Sequence, residues 1–438
     1  MRKKKVFLFF LLLSSFVQFN PVSGQEILTL EDAVKIALEK NYDIKLISND
    51  LSIDKNNVSL ANAGMLPSVN GTFTNNNSIQ NSTQTQSNGQ VQERNNAKNT
   101  SLNYGVGLNW TVFDGFGMFA RYDQLNELQK LGEADLRLTI LNTIADVIAG
   151  YYDLVQQQHQ LKAYVTATDI SRYRVQTAKN RFQIGKAARL EVLNAQVDFN
   201  TDTTNLLRQQ QLYHNTQIQL NQILARDVTI KFNVADTIII DDKLNYATLL
   251  NKATSLNPSL QAALISKRIA ELDLKQVKAD RYPDITVNSG YNFTNSQSAL
   301  GFATRNTGRG FTYGVTASVN IFNGFLQRRN EKNAAIAIEN AQIQFDKLNQ
   351  SVNAELAAAY QTYLTNLSLV TLEENNQKIA RQNLDITLEK FKLGSISTVE
   401  VRDAQLNYVN ATVRYTSAQY AAKIAEVSLK EIAGILNL

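Results

Sequence analysis

From Phe311 to Ile321 the chain alternates: Phe311, Tyr313, Val315, Ala317, Val319 and Ile321 are separated by Thr312, Gly314, Thr316, Ser318 and Asn320. The same period of two runs through Leu102, Tyr104, Val106, Leu108, Trp110 and Val112, and through Ile285, Val287, Tyr291 and Phe293. A period of two places one apolar and one polar face on a strand. About eleven residues is the length of a tilted membrane strand, and a face of Asn, Thr, Ser and Gly suits a watery lumen. A soluble hairpin with one buried face has the same pattern. Two matched hairpins behind an export signal favour the membrane.

After each hairpin the period changes. From Phe325 to Leu393 there is neither Gly nor Pro. A helix over that stretch spans about 100 Å and needs a partner along its length. Val147, Tyr151, Leu154, Gln158 and Leu161, and Leu356, Tyr360, Tyr363, Leu367 and Val370, form seams at spacings of four and three. That spacing predicts coiled-coil packing.

The helices and strands recur as two copies of one plan. RFQIGKAARLEVLNAQ, which starts at Arg181, aligns without a gap with KFKLGSISTVEVRDAQ, 209 residues on. Phe182 then matches Phe391, Gly185 matches Gly394 and Glu191 matches Glu400. Ahead of the strands the offset is 216, with Asn41 on Asn257 and Pro67 on Pro283. The seven-residue difference falls between Pro67 and Phe113, in the Asn/Gln/Ser/Thr-rich stretch around Asn75 to Thr100, read as a loop tip. Internal self-similarity of this kind marks a duplicated unit.

The resulting organisation is a secretory signal at 1–24 and a first repeat at 25–225, with its hairpin at 68–113 and a tip turn at 183–188. A connecting segment follows at 226–245, then a second repeat at 246–438, with its hairpin at 284–322 and a tip turn at 392–397. Each repeat is expected to open on a single helix, Leu30 to Gly64 and Ala247 to Asp280, ended by proline. Return helices, Ala188 to Ala225 and Ser397 to Leu436, are about half the length of the long ones, so the opening helices are expected to stack on them end to end. Gly185 and Gly394 fit positive φ at the helix stops, and Ser397 or Thr398 can cap the helix that returns.

Charge and composition narrow the partners. The chain carries 44 basic and 39 acidic residues. Removing the signal, with Arg2, Lys3, Lys4 and Lys5 and no acid, leaves 40 against 39, so nothing points to nucleic acid. There is no cysteine, hence no disulfide, thiolate metal site or cysteine-linked lipid anchor. No later segment has 18 consecutive apolar residues, so no transmembrane helix is expected. No nucleophile elbow or Walker sequence occurs, and no cofactor or metal site is expected. His159 reads as a packing or solvated histidine.

Four strands cannot close a barrel, and open edges in lipid leave backbone groups unsatisfied, so several chains must contribute. The strands end in matching turns, Phe113-Asp-Gly-Phe116 and Phe322-Asn-Gly-Phe325, whose phenylalanines suit a lipid–water boundary.

The two-copy plan, the paired hairpins and the Phe-x-x-Gly…Glu…Ala-Gln tips resemble the TolC family of outer-membrane efflux and secretion channels, over essentially the whole mature chain. The resemblance implies a mixed α and β membrane protein, a homotrimer with a twelve-stranded β-barrel over an α-helical coiled-coil barrel, and 226–245 in an equatorial collar. It implies a periplasmic adaptor and an inner-membrane pump of RND, ABC or MFS type as partners, with Gly185, Gly394, Phe182 and Phe391 at tips that meet the adaptor. It implies no enzymatic activity. Glu400 and Asp403, with Glu191 at the matching place in the first repeat, fall where the family has a periplasmic constriction. Trimerisation would there gather carboxylates that repel one another and favour cations. The family's tyrosine and arginine latch is replaced by Phe391 and Ile396, which leaves closure to other contacts, with Arg402 and Lys392 as candidates. The competing reading is a periplasmic coiled-coil adaptor or scaffold that never enters the bilayer.

Overall fold

The computed structural model describes residues 27–299 and 303–436; the signal expected at 1–24 lies outside them. In chain order the elements are β1 (Ile27–Leu28), α1 (Leu30–Lys40), α2 (Tyr42–Asn57), β2 (Ser68–Thr85), β3 (Val91–Asp114), α3 (Gly117–Gln183) and α4 (Arg189–Ile223). The second half gives β4 (Asn233–Val234), α5 (Tyr246–Leu256), α6 (Pro258–Ala279), β5 (Asp284–Gln297), β6 (Arg305–Ser318), α7 (Leu326–Lys392) and α8 (Thr398–Ile432). The two long helices have 67 residues each, about 100 Å.

The four long strands form one antiparallel sheet in the order β2-β3-β5-β6. Ser68 faces Asn109 in the first hairpin and Asp284 faces Ser318 in the second, the pairing that the two repeat offsets require. Both hairpins reach further than the alternation indicates. The stretch read as a loop around Asn75 to Thr100 is mostly paired strand, and β6 starts at Arg305 rather than Phe311. Polar residues on both faces carry no period-two signal, yet the backbone ladder continues through them. β6 also stops at Ser318, short of the expected Phe322, because β5 begins at Asp284 and offers nothing beyond it to pair with.

Each opening helix is two helices rather than the single one expected. The break falls at Asn41 and at Asn257, the pair matched in the sequence. Each asparagine accepts from backbone at the start of the second helix: Asn41 from Asp43 and Ile44, Asn257 from Leu260. Each also donates from its side-chain amide to the last carbonyl of a return helix, Asn41 to Ile223 at 2.9 Å and Asn257 to Ile432 at 2.9 Å. One side chain thus serves orphan groups at both ends of a joint, where four N–H and four C=O groups lack helical partners. The joint sets α2 on the end of α4 and α6 on the end of α8. The proline signal misplaced the first of these ends, since α2 stops at Asn57, well before Pro67.

The seams are the core. Val147, Tyr151, Leu154, Leu356 and Tyr363 are buried in two apolar clusters, the one about the first seam also taking in Val427 and Leu436 of the second repeat. Tyrosine hydroxyls pin the connecting segment to this core. Tyr151 donates to Leu28 carbonyl and accepts from Ala235 N–H, and Tyr363 donates to Asp241 carbonyl. A stretch of α3 is apolar enough to cross a membrane by length and composition, but half of that window is buried in the protein.

Replacing Asn41 or Asn257 by alanine is expected to destabilise the chain by about 1–2 kcal/mol at each joint. Thermal unfolding followed by circular dichroism checks this, and an unchanged midpoint for both variants would contradict the double-capping role.

Candidate functional site

Two regions hold the residues that the sequence singles out: the helix tips and, some 100 Å away, the junctions of strand and helix. At the tips both long helices end in the same closing turn. Gly185 N–H bonds to Phe182 carbonyl at 3.0 Å and Lys186 N–H to Arg181 carbonyl at 2.8 Å. Gly394 and Ser395 repeat this onto Phe391 and Lys390 at 3.0 and 3.1 Å. This is the Schellman arrangement, and both glycines sit at φ 75°. Neither is crowded; the nearest atom to a Cβ at Gly394 is an Arg181 nitrogen at 3.5 Å, and at Gly185 there is nothing within 4 Å. Conformation, not space, demands glycine here.

The two tip phenylalanines differ. Phe182 is exposed, whereas Phe391 is buried, edge-on to Tyr173 at 6.3 Å with the Arg181 guanidinium over its ring at 5.2 Å. Within the single chain Phe391 thus supports the turn from inside, while Phe182 stays on the surface.

The carboxylates also separate. Ser397 caps α8, and Glu400 closes a reciprocal capping box, accepting from Ser397 N–H at 3.2 Å and from its hydroxyl at 3.0 Å. Glu400 and Asp403 are both exposed. Asp403 and Glu191 line one cleft, between the starts of α4 and α8, together with Arg174, Arg181, Asp198 and Arg402. Glu400 lies outside that lining.

Arg402, one of the two residues suggested for closure, reaches across from α8 to Asp198 at 3.2 Å and Asp202 at 3.8 Å on α4. Arg174 of α3 holds the other Asp198 oxygen at 2.9 Å, and Gln405 donates to Asp202 at 2.7 Å. Arg174 is only 2% exposed and Asp202 only 4%, so these charges hold one another out of water, and losing one partner would strand the rest. Lys392 instead pairs along its own helix with Glu389, which holds its ammonium above the ordinary lysine pKa.

Pattern reading singled out neither Arg174 nor Asp198 nor Asp202. A signal was available in the repeat itself. The 209-residue offset sets Arg174 on Asn383, Asp198 on Asn407, Asp202 on Ala411 and Arg402 on Leu193. Each of these four charges is one that its counterpart lacks. His159 is paired with Asp236 at 3.0 Å, on the connecting segment.

At the other region Gly115 and Phe116 both take positive φ, 70°, as do Gly324 and Phe325 at 66°. Each turn sets two rings edge to face, Phe113 on Phe116 at 5.1 Å and Phe322 on Phe325 at 5.5 Å. Phe116, Phe322 and Phe325 are exposed, and Phe113 is half-buried. Left-handed backbone is costly for a bulky residue, and here it turns the second ring outward beside the first. Trp110 at the same level donates its indole N–H to Met65 carbonyl at 2.9 Å.

The family model for outer membrane efflux proteins matches residues 33–226 and 249–435, one segment for each repeat. The chain belongs to the outer membrane efflux protein family. Outer membrane protein TolC of Vibrio cholerae is 22% identical over 322 residues, which cover 72% of this chain and 73% of that protein. Outer membrane efflux protein BepC of Brucella suis is 20% identical over 417 residues, 94% of this chain and 87% of that one. The outer membrane channel CmeC of Campylobacter jejuni has the same fold, with a TM-score of 0.77 at 15% identity over 92% of this chain and 85% of that one. The chain is an efflux channel protein of the outer membrane, so the competing soluble adaptor falls away.

In this efflux protein Gly394→Ala is expected to cost about 1 kcal/mol, from its positive φ alone. Gly185→Ala should match it. A chemical-unfolding midpoint that does not move for either would contradict the conformational account.

Proposed function

We propose that three copies of this chain form the exit duct of a tripartite efflux or type I secretion system, passing substrate from a periplasmic adaptor and an inner-membrane pump of RND, ABC or MFS type to the exterior. The observation that carries the reading is an interface present once where the repeat requires it twice. Within the chain, the first repeat packs on the second through β3 on β5 and through α3 on α6 and α8. The matching surfaces, β6 and α7 on one side and β2, α2 and α4 on the other, have no such partners among the described residues of the same chain.

Burial follows this asymmetry. Val155 and Ala163 on α3 are 0% and 2% exposed, whereas their counterparts on α7, Leu364 and Leu372, are 41% and 54% exposed. A Cβ on Gly115 would meet Ala279 carbonyl at 2.3 Å, and one on Gly324 meets nothing within 4 Å. Leu46 and Ile53 on α2 are exposed at a spacing of seven, as are Ile336 and Ile343 on α7. A second copy that repeats the internal interface covers these apolar surfaces and pairs the two open strand edges. Three copies close a twelve-stranded barrel, with the polar strand face inward and the aromatic turns at the periplasmic boundary of the lipid.

Carrying the β3–β5 register onto the open edges sets Thr316 of one copy opposite Thr74 of the next. The chain has no native cysteine, so Thr74→Cys with Thr316→Cys is expected to give a covalent trimer ladder under oxidation. Each single variant should stay monomeric on a denaturing gel. Free monomer from the double variant, with no ladder, would argue against this trimer.

The narrow end of the duct is read as the six helix tips, where Glu400, Asp403 and Glu191 supply negative charge to the mouth and the Arg402–Asp198–Arg174 network ties the two halves of one chain. Glu400→Gln keeps a residue fit for the capping box while removing its charge. Together with Asp403→Asn it is expected to weaken block by multivalent cations several-fold in a planar-bilayer conductance measurement. Unchanged block would place those carboxylates away from the ion path.

A further inference from the structure

Between its helical end and the bulge in the first hairpin the sheet carries charge on one face only, and this feature is independent of the pore. Between the aspartates at its helical end, Asp114 and Asp284, and the bulge near Gln80 and Ser82, the four strands hold Lys98, Arg305 and Arg309 and no acidic residue. The ladder fixes where these three point. Arg309 lies opposite Phe293, which lies opposite Tyr104, so the three share the apolar face. Arg305 lies in the row of Gln297 and Thr100, four residues further from the helices and so on the same face. Lys98 precedes Thr100 by two residues in β3 and so points the same way. All three are exposed. None faces the lumen, where a charge would meet water.

Their height is as specific as their face. From the Tyr104–Phe293–Arg309 row to Phe113 is nine residues, about 30 Å along the strand and roughly 23 Å after a barrel's tilt. That matches the apolar band of an outer-membrane barrel, about 25 Å tall. Phe113, Phe116 and Trp110 mark its lower edge, and Tyr104, Phe293 and Phe311 its upper edge. The three cations start at the upper edge and continue outward, where an exposed arginine or lysine costs little.

Arg309 also borders a shallow notch. Thr307 and Gly308 leave room over Leu102, Tyr104 and Phe293, with Tyr104 and Phe293 stacked at 4.8 Å. Arg305 is steadied by Asn295, to whose Oδ1 it donates at 3.3 Å. The nearest acid in the sheet is Glu93, beyond the bulge and further from the helices than all three cations. The strand expected alongside β6, β2 of the next copy, has no acid over its length.

The geometry points to a binding site for the phosphorylated headgroup of an outer-leaflet lipid, with Arg309, Arg305 and Lys98 on the phosphates and the Tyr104–Phe293 notch under the apolar part. Arginine presents a planar fork that fits phosphate, and basic clusters at a membrane surface select anionic headgroups. The site rests on the barrel reading, because it needs this face turned to lipid.

The test is native mass spectrometry of the intact assembly in mild detergent, titrated with a bis-phosphorylated glycolipid, its dephosphorylated form and inorganic phosphate. Wild type is expected to retain the phosphorylated lipid. The triple variant Lys98→Gln, Arg305→Gln, Arg309→Gln should bind it about tenfold or more weakly. Lys98→Arg with Arg305→Lys and Arg309→Lys should keep most of the binding, and Arg309→Gln alone, which serves if the triple variant fails to assemble, should show a partial loss. Equal retention by the triple glutamine variant, or of the dephosphorylated lipid by wild type, overturns the site. Displacement by millimolar inorganic phosphate overturns the lipid as its ligand. Conductance across a planar bilayer is read in parallel. A wild-type preparation that stays in solution without detergent and conducts nothing overturns the barrel reading, and the lipid site with it.

Discussion

Lipid offers no hydrogen bonds. A strand that enters it must find partners for its backbone N–H and C=O groups in other strands, along both edges. This chain brings four strands and leaves two edges open, β2 and β6. Most other features of the molecule follow from meeting that demand with copies of itself. The internal β3–β5 ladder is a worked instance of the pairing the edges need, and the helices beneath repeat the same asymmetry. Leu364 and Leu372 on α7 are exposed where their counterparts on α3 are covered. In the proposed trimer, association is a continuation of folding, in which each new copy buries what the previous one exposed.

The helical half meets its own version of the problem in water. A 67-residue helix cannot be stabilised by propensity alone and needs a partner over its full length. The return helices cover only part of that length, and the opening helices cover the rest. What makes the composite rod continuous is a pair of asparagines, each satisfying the end of one helix and the start of the next. Tyr151 and Tyr363 then use their hydroxyls to fix the connecting segment across the seams.

Much of this is legible in the sequence because the duplication reads each signal twice. The seams, the glycine turns and the membrane strands stand out by period and by their match across the repeat. Other features do not, for physical reasons. The breaks at Asn41 and Asn257 are single residues whose role depends on a carbonyl 182 and 175 positions away. The outer part of each hairpin has polar residues on both faces, so periodicity falls silent while pairing continues. At the tips the cap at Ser397 is legible, but that Glu400 closes it reciprocally emerges only from the geometry. The network of Arg174, Asp198, Asp202 and Arg402 escapes any search for similarity between the halves, because it is made of the places where they differ.

The two ends of the molecule have diverged unequally. The tip turns of the two repeats have the same length and the same backbone, glycine for glycine. The hairpins at the opposite end do not: the first has strands of 18 and 24 residues, the second 14 and 14. In a threefold assembly the inner end therefore keeps a nearly hexagonal outline, and the outer end becomes a crown of three tall and three short points. An insertion that would spoil a docking ring is harmless where the chain meets only open water, so the crown is the end at which new length can accumulate.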